Sequence, residues 1–222
     1  MQNFDTVTPI SAVLDIPAGR VQFIAADRTD TTVEVLPANA SKSRDVKAAE
    51  QVEVAYADGV LRIGAPAAKN QYFGPSGSIE VTVQLPAGSR VEVKSSCAEF
   101  RGVGRFGDVA FEGAQGAIKV DEAVGVRVTT SGGDVSIGRL GGPAEISTGR
   151  GDIRITEAVR GAVELRTQMG DVSVGATAGV SASLDAGTGY GRIHNALKNA
   201  DGDAGLTIHA TTDHGNIDAH SL

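Results

Sequence analysis

From Val91 onward the chain alternates apolar and polar residues in short bursts, and the bursts repeat. Each repeat reads apolar-x-apolar, a short turn, Gly-Asp or a relative, apolar-x-apolar, then a Gly-rich turn. Seven units follow one another: 91–107, 108–125, 126–142, 143–161, 162–179, 180–205 and 206–222. Six of them are 17–19 residues long, and the sixth has 26 because of an insertion over 195–205. A period of two places alternate side chains on one face of a strand, so each unit predicts two short strands, each with one buried face. The inward positions are Val126 and Val128, then Val135 and Ile137. Their equivalents are Ala144, Ile146, Ile153 and Ile155 in the next unit and Val163, Leu165, Val172 and Val174 in the one after.

A segment this short cannot bury two apolar faces alone. It can do so against copies of itself, with parallel strands in register about 4.8 Å apart. The fold class expected is therefore all-β: a single-stranded parallel β-solenoid with two short strands per coil. Near-constant unit length favours this over a closed or sandwiched antiparallel domain. The inward Val, Ile, Ala and Leu suit a narrow interior, and corner glycines permit positive φ.

Residues 1–90 have a different character. They hold 6 of the 29 glycines but six of the seven prolines. Val21–Ile24, Val33–Leu36, Val52–Val54, Val60–Ile63 and Ile79–Val83 read as strands. Asp58-Gly59 reads as a hairpin turn. Ser41–Glu50 predicts one short helix with a solvated charged face, and Gly64–Ser78 a loop. Ile16-Pro17-Ala18-Gly19 and Leu85-Pro86-Ala87-Gly88 look like matching corners. The expected organisation is a β-rich segment over 1–90 that caps or begins the solenoid, then seven coils over 91–222.

The Gly-Asp-apolar-x-apolar units (Gly133–Ile137, Gly151–Ile155 and Gly170–Val174), following a β-segment with a Pro-Ala-Gly corner, resemble a bacterial family. It is the β-strand-repeat "putative adhesin" family, domain of unknown function 4097. The likeness is closest over 91–222. The resemblance implies a β-solenoid-like fold and brings no established catalytic residues.

Composition narrows the function. The net charge of -7 disfavours nucleic acid, which needs clustered Lys and Arg. No stretch approaches the roughly 20 apolar residues of a membrane span. The first 20 residues carry Asp5 and Asp15 and lack the basic start and apolar run of a secretory signal, which predicts a cytoplasmic protein, or a cell-surface one if exported by another route. Cys97, the only cysteine, reads as a small, partly buried side chain.

The residue after the corner glycine forms the row Glu99, Ala117, Asp134, Asp152, Asp171, Arg192, Asn216. Asp134, Asp152 and Asp171 are weak metal candidates, and hydrogen bonding to backbone at a turn is the simpler reading. Arg150-Gly151-Asp152 is the repeat's own Gly-Asp preceded by an arginine. Alignment sets His209 beside Asp185 and His194 beside Asp218, on different outer faces, so they cannot share one ion. Ser95, Thr130, Thr148 and Thr167 form a partial hydroxyl row suited to structural hydrogen bonds. The chain has no Trp and three Tyr, so an aromatic sugar platform is hard to build. Tyr72-Phe73 is the one candidate. No nucleophile elbow, phosphate loop, zinc motif or facing carboxylate pair appears.

The sequence thus points to a non-catalytic scaffold or interaction module without cofactors. Self-association or partner binding is expected through the last coil, at Asn216, Ile217 and Asp218. The alternatives are a carbohydrate-binding or polysaccharide-cleaving β-helix and an end-to-end filament former.

Overall fold

The alternation of each unit becomes paired strands. The computed structural model describes residues 1–64, 77–198 and 204–222. Among them the protein is all-β apart from one helix. β1 (Gln2–Asp5), β2 (Ser11–Ala26), β3 (Asp30–Pro37), α1 (Ser43–Glu50), β4 (Glu53–Ala57), β5 (Val60–Gly64) and β6 (Ile79–Pro86) precede the repeats. The repeats supply β7 (Arg90–Gln115), β8 (Ile118–Gly132), β9 (Val135–Leu140), β10 (Ala144–Arg150), β11 (Ile153–Ala158) and β12 (Gly161–Met169). They continue with β13 (Val172–Ala176), β14 (Ala182–Tyr190), β15 (Ile193–Ala196), β16 (Leu206–His214) and β17 (Ile217–Ser221).

Two parallel ladders organise these strands. One passes through β8, β10 and β12, pairing Val126 with Ala144 and Ala144 with Val163. The other passes through β8, β9, β11 and β13, pairing Ile118 with Val135, Val135 with Ile153 and Ile153 with Val172. Equivalent residues of successive units therefore lie side by side, and the inward pairs expected from the alternation are all buried. Burying each Val, Ile or Leu contributes about 1.5–3 kcal/mol. Around the first repeats the interior also takes aromatic rings. Phe23, Phe100 and Phe111 form a chain with centroids 6.1 and 6.0 Å apart. Gly102 leaves room beside Phe106, whose ring would lie 3.1 Å from any Cβ placed there.

The ladders cross residue 90 without a break. β2 pairs with β7 on one side, and with β5 and β6 on the other, always parallel. Beyond these layers the direction reverses: β3 pairs antiparallel with β6, β1 with β3, and β4 with β5. Asp58 and Gly59 join β4 to β5 with φ of 52° and 76°, the positive values of a tight hairpin. Two expectations need correction here. Gly19 lies at a bend inside β2, level with Ala98 of β7, whereas Pro86–Ser89 forms the turn between β6 and β7. The two Pro-Ala-Gly segments therefore occupy different corners. Cys97 is exposed, because it sits at the outward position of such a bend.

The layers do not follow chain order at the far end. β16 pairs with β12 on one side and with β14 on the other, and β17 lies likewise between β13 and β15. The seventh unit is thus inserted between the fifth and the sixth. No helix among the described residues is long and apolar enough to cross a membrane.

Candidate functional site

The corners between the two strands of each unit carry the repeat's most regular chemistry. In five of the seven units the corner has the form Thr-x-x-Gly followed by a polar residue: Thr130 to Asp134, Thr148 to Asp152, Thr167 to Asp171, Thr212 to Asn216 and Thr188 to Arg192. The threonine at most of these corners turns its hydroxyl to a backbone carbonyl of the adjacent layer. Thr167 donates to Gly151 O at 3.1 Å, Thr212 to Gly170 O at 3.0 Å and Thr188 to Gly215 O at 2.9 Å. The hydroxyl row seen in the sequence is therefore a set of interlayer hydrogen bonds, and four of its members, with Thr212, are buried.

The glycine is required by packing as well as by φ. At Gly151 (φ 137°) an added Cβ would lie 2.3 Å from Gly133 O. The neighbouring layer's backbone occupies the place a side chain would fill.

The carboxylate after each glycine serves the next layer. Asp134 Oδ1 accepts from Asp152 N–H at 2.9 Å, Asp152 Oδ1 from Asp171 N–H at 2.8 Å, and Asp171 Oδ1 from Asn216 N–H at 2.6 Å. Asn216 Oδ1 then accepts from Arg192 N–H at 3.0 Å. These bonds form a continuous rail, the three to aspartate charge-assisted, each holding one layer to the next. It is also why an acid recurs at this position. One carboxylate per layer, with one oxygen engaged, is a thin donor set for a cation. Among the described residues no cluster of three or more His, Cys, Asp or Glu is placed to hold a metal ion.

The histidines split. His209 Nδ1 lies 3.0 Å from Asp185 Oδ2, the pairing expected from alignment. His194 and Asp218 are also level, but Asp218 Oδ1 meets His220 Nδ1 of its own strand at 3.0 Å. Elsewhere the outer face of the first ladder is laced with ion pairs. Arg90 meets Asp108 at 3.2 Å and Arg127 meets Glu145 at 2.6 Å, along a groove of about 650 Å³. On the second ladder Arg139 reaches both Glu122 and Glu157. The Arg139 guanidinium, helped by the Thr177 hydroxyl, holds the Glu157 carboxyl below its ordinary range.

Of the expected interaction residues, Tyr72 and Phe73 lie outside the described residues. Asn216, Ile217 and Asp218 do not form the end of the stack. Ile217 and Asp218 belong to β17 and Asn216 to the corner before it; β17 has a strand on either side, and Ile217 is 1 % exposed. Insertion of the seventh unit moves the end to β14 and β15. Each of these has one neighbour among the described strands, β16 and β17 respectively. Ile193, level with Ile217, is 46 % exposed there, and Tyr190 is 75 % exposed with its ring stacked on His214 at 4.9 Å. Sequence reasoning missed Tyr190 and His214. The available signal was Asn195, which stands where other units carry an inward apolar residue.

Comparison with known proteins agrees with this architecture. The family described as Toastrack DUF4097 matches residues 13–221. Among solved structures, the chain resembles a "putative adhesin" from Bacteroides fragilis NCTC 9343. The two share 17 % identity and a TM-score of 0.57 over 98 % of this chain and 95 % of that one, a likeness of fold. A "putative adhesin" from Parabacteroides distasonis ATCC 8503 aligns at 13 % identity and TM-score 0.45, over 98 % and 95 % of the two chains. A "putative cell adhesion protein" from Clostridium sporogenes ATCC 15579 aligns at 10 % identity and TM-score 0.40, over 100 % and 99 %. No curated protein matches the chain. With its repeats, its corner Gly-Asp rail and a match over nearly its whole length, the chain belongs to the Toastrack DUF4097 family.

Proposed function

We propose that the chain is a non-catalytic β-solenoid, two short strands per coil, acting as an interaction module through the end of its stack. In this reading the antiparallel strands of residues 1–90 close one end, and β14 and β15 offer the other. The observation that carries it is the one-sided pairing of those two strands, with Ile193 and Tyr190 exposed beside them. Unpaired N–H and C=O groups on a strand edge are a template for another chain.

The occupant we favour is a second copy, docked end to end about a two-fold axis. The antiparallel strands at the opposite end support a pair over a filament, because head-to-tail growth needs a matching parallel edge there. One coil's end is small beside the roughly 800 Å² per partner of a standard interface, so the pair should be weak. The carboxylates of the corner rail are taken up by backbone N–H groups, which supports a structural rather than a catalytic role.

Light scattering from micromolar to millimolar concentration tests this. The mass should move from one chain toward two, and Ile193→Lys or Gly187→Pro should hold it at one. A mass of one chain throughout, or a dimer indifferent to both substitutions, would overturn the proposal. Negative-stain images showing filaments would favour the end-to-end alternative.

A further inference from the structure

The seventh unit is held between two layers that are joined to each other without it. Residues 177–181 lead directly from β13 to β14. The path of the chain from the fifth unit to the sixth therefore does not pass through the unit that lies between them. With the seventh unit lifted out, its two neighbours would face one another across a slot one layer deep.

Both walls of this slot are chemically specific. On the fifth unit's side, Gly170 O accepts the Thr212 hydroxyl at 3.0 Å and Asp171 Oδ1 accepts Asn216 N–H at 2.6 Å. Val172 N–H donates to Asn216 O at 2.8 Å. On the sixth unit's side, Thr188 donates to Gly215 O at 2.9 Å and Arg192 N–H to Asn216 Oδ1 at 3.0 Å. Residue 215 must be glycine, because an added Cβ would lie 1.9 Å from Gly170 O. The occupant is thus a coil with a Thr-x-x-Gly corner followed by Asn or Asp. It also brings apolar residues to both walls: Leu206, Ile208 and Ile217 are each at most 1 % exposed.

The sixth unit is a poor replacement on the fifth. In the same register it would set Arg192, which has no side-chain acceptor, in the place of Asn216. It would also set Asn195 in the place of Ala219, against Val174. An amide buried among aliphatic side chains without a partner is costly. An empty slot therefore does not close well on itself.

We propose that the slot is an exchange site, and that the partner it fits is the seventh unit of a second copy of this chain. A coil donated by another copy offers the same hydrogen bonds and the same aliphatic residues as the chain's own. The two differ only in tethering, so concentration decides between them. Such a coil gains a strand neighbour on each side, whereas docking on the β14 and β15 edge gives one. The exchange goes beyond the end-to-end pair proposed above and does not depend on it.

Two full-length chains test it, both with Cys97→Ser. One carries Glu164→Cys and the other His209→Cys, at positions level across the slot. Adjacent layers, about 4.8 Å apart, lie within disulfide reach, and layers about 9.6 Å apart do not. Unfolded together, refolded at high concentration and oxidised, the two should give a covalent heterodimer. Glu145→Cys in place of Glu164→Cys, one layer further from the slot, sets the background from chance contact. Gly215→Ala in the donor chain should reduce the heterodimer to that background. With Glu164→Cys and His209→Cys in one chain, the bond should close within the monomer at low concentration. A heterodimer no more abundant than background, one that survives Gly215→Ala, or failure of the internal bond would each overturn the proposal. In an edge-docked pair, positions 164 and 209 of different copies are at least four layers, about 19 Å, apart. This experiment and the light-scattering one therefore stand or fall separately.

Discussion

A methyl group at the Gly151 corner has nowhere to go, since the carbonyl of Gly133 lies 2.3 Å from where it would sit. Gly179 also has positive φ, 80°, yet nothing lies within 4 Å of its added Cβ. The two positions separate conformational strain from collision. Gly179→Ala should cost about 1 kcal/mol, the strain alone. Gly151→Ala should cost about 3 kcal/mol or more, because a neighbouring layer must move as well. Urea unfolding of the two variants would show the difference, and equal losses would mean that the layers yield easily. A second residue-scale expectation concerns acid. The Arg28 guanidinium binds Asp30 through two hydrogen bonds and lowers its carboxyl pKa. A depressed folded-state pKa gives stability that is present above the unfolded value, about 4, and lost as pH falls below it. Asp30→Asn should therefore lower stability modestly at neutrality, converge on the parent at low pH, and so flatten the decline below that value. Thermal unfolding as a function of pH would reveal this.

At the scale of elements, much of the chain was legible. Strict alternation in a unit too short to stand alone left stacking as the economical solution. The side-by-side placement of Val126, Ala144 and Val163 follows from it. The level pairs His209–Asp185 and His194–Asp218 follow from the same register. The short helix expected over 41–50, which forms at Ser43–Glu50 without a side-chain cap, and the Asp58-Gly59 hairpin were legible from local composition and turn chemistry. The order of the layers was not legible. Each unit presents nearly the same aliphatic face, so Leu165 would accept Ala186 as a neighbour as readily as Ala210, and periodicity is blind to the choice. The clues were irregularities: the insertion over 195–205, which gives the chain slack to reach back, and Asn195 in place of an inward aliphatic residue. Asn195 fits an outermost layer, where its amide oxygen accepts from Leu197 N–H at 3.1 Å. The slot between the fifth and sixth units was hidden for the same reason. Alternation marks which residues face inward, but not which unit fills the space between two others.

For the molecule as a whole, position in space and position in sequence part company. Fraying is expected at the last layer of a stack, where strands have one neighbour. Amide hydrogen exchange should therefore be faster in β14 and β15 than in β16 and β17, although the latter come later in the chain. Faster exchange over 206–222 would contradict the inserted order. The first ninety residues repeat the pattern at the other end. There β2 sits against β7, while β5 and β6, which intervene in sequence, lie outside it.

The inserted seventh unit carries a consequence for biosynthesis. A repeat array can ordinarily grow on the ribosome one segment at a time, each settling as it emerges. Here the segment from Ala182 to Ala196 has no native seat until residues beyond 217 have been translated, since its resting place is upon them. Until then it waits unsettled or rests on β12 and β13, and it must then yield that place and close over its successor. The final step of maturation is thus a fold-back, reserved for a polypeptide already synthesised through its seventh repeat.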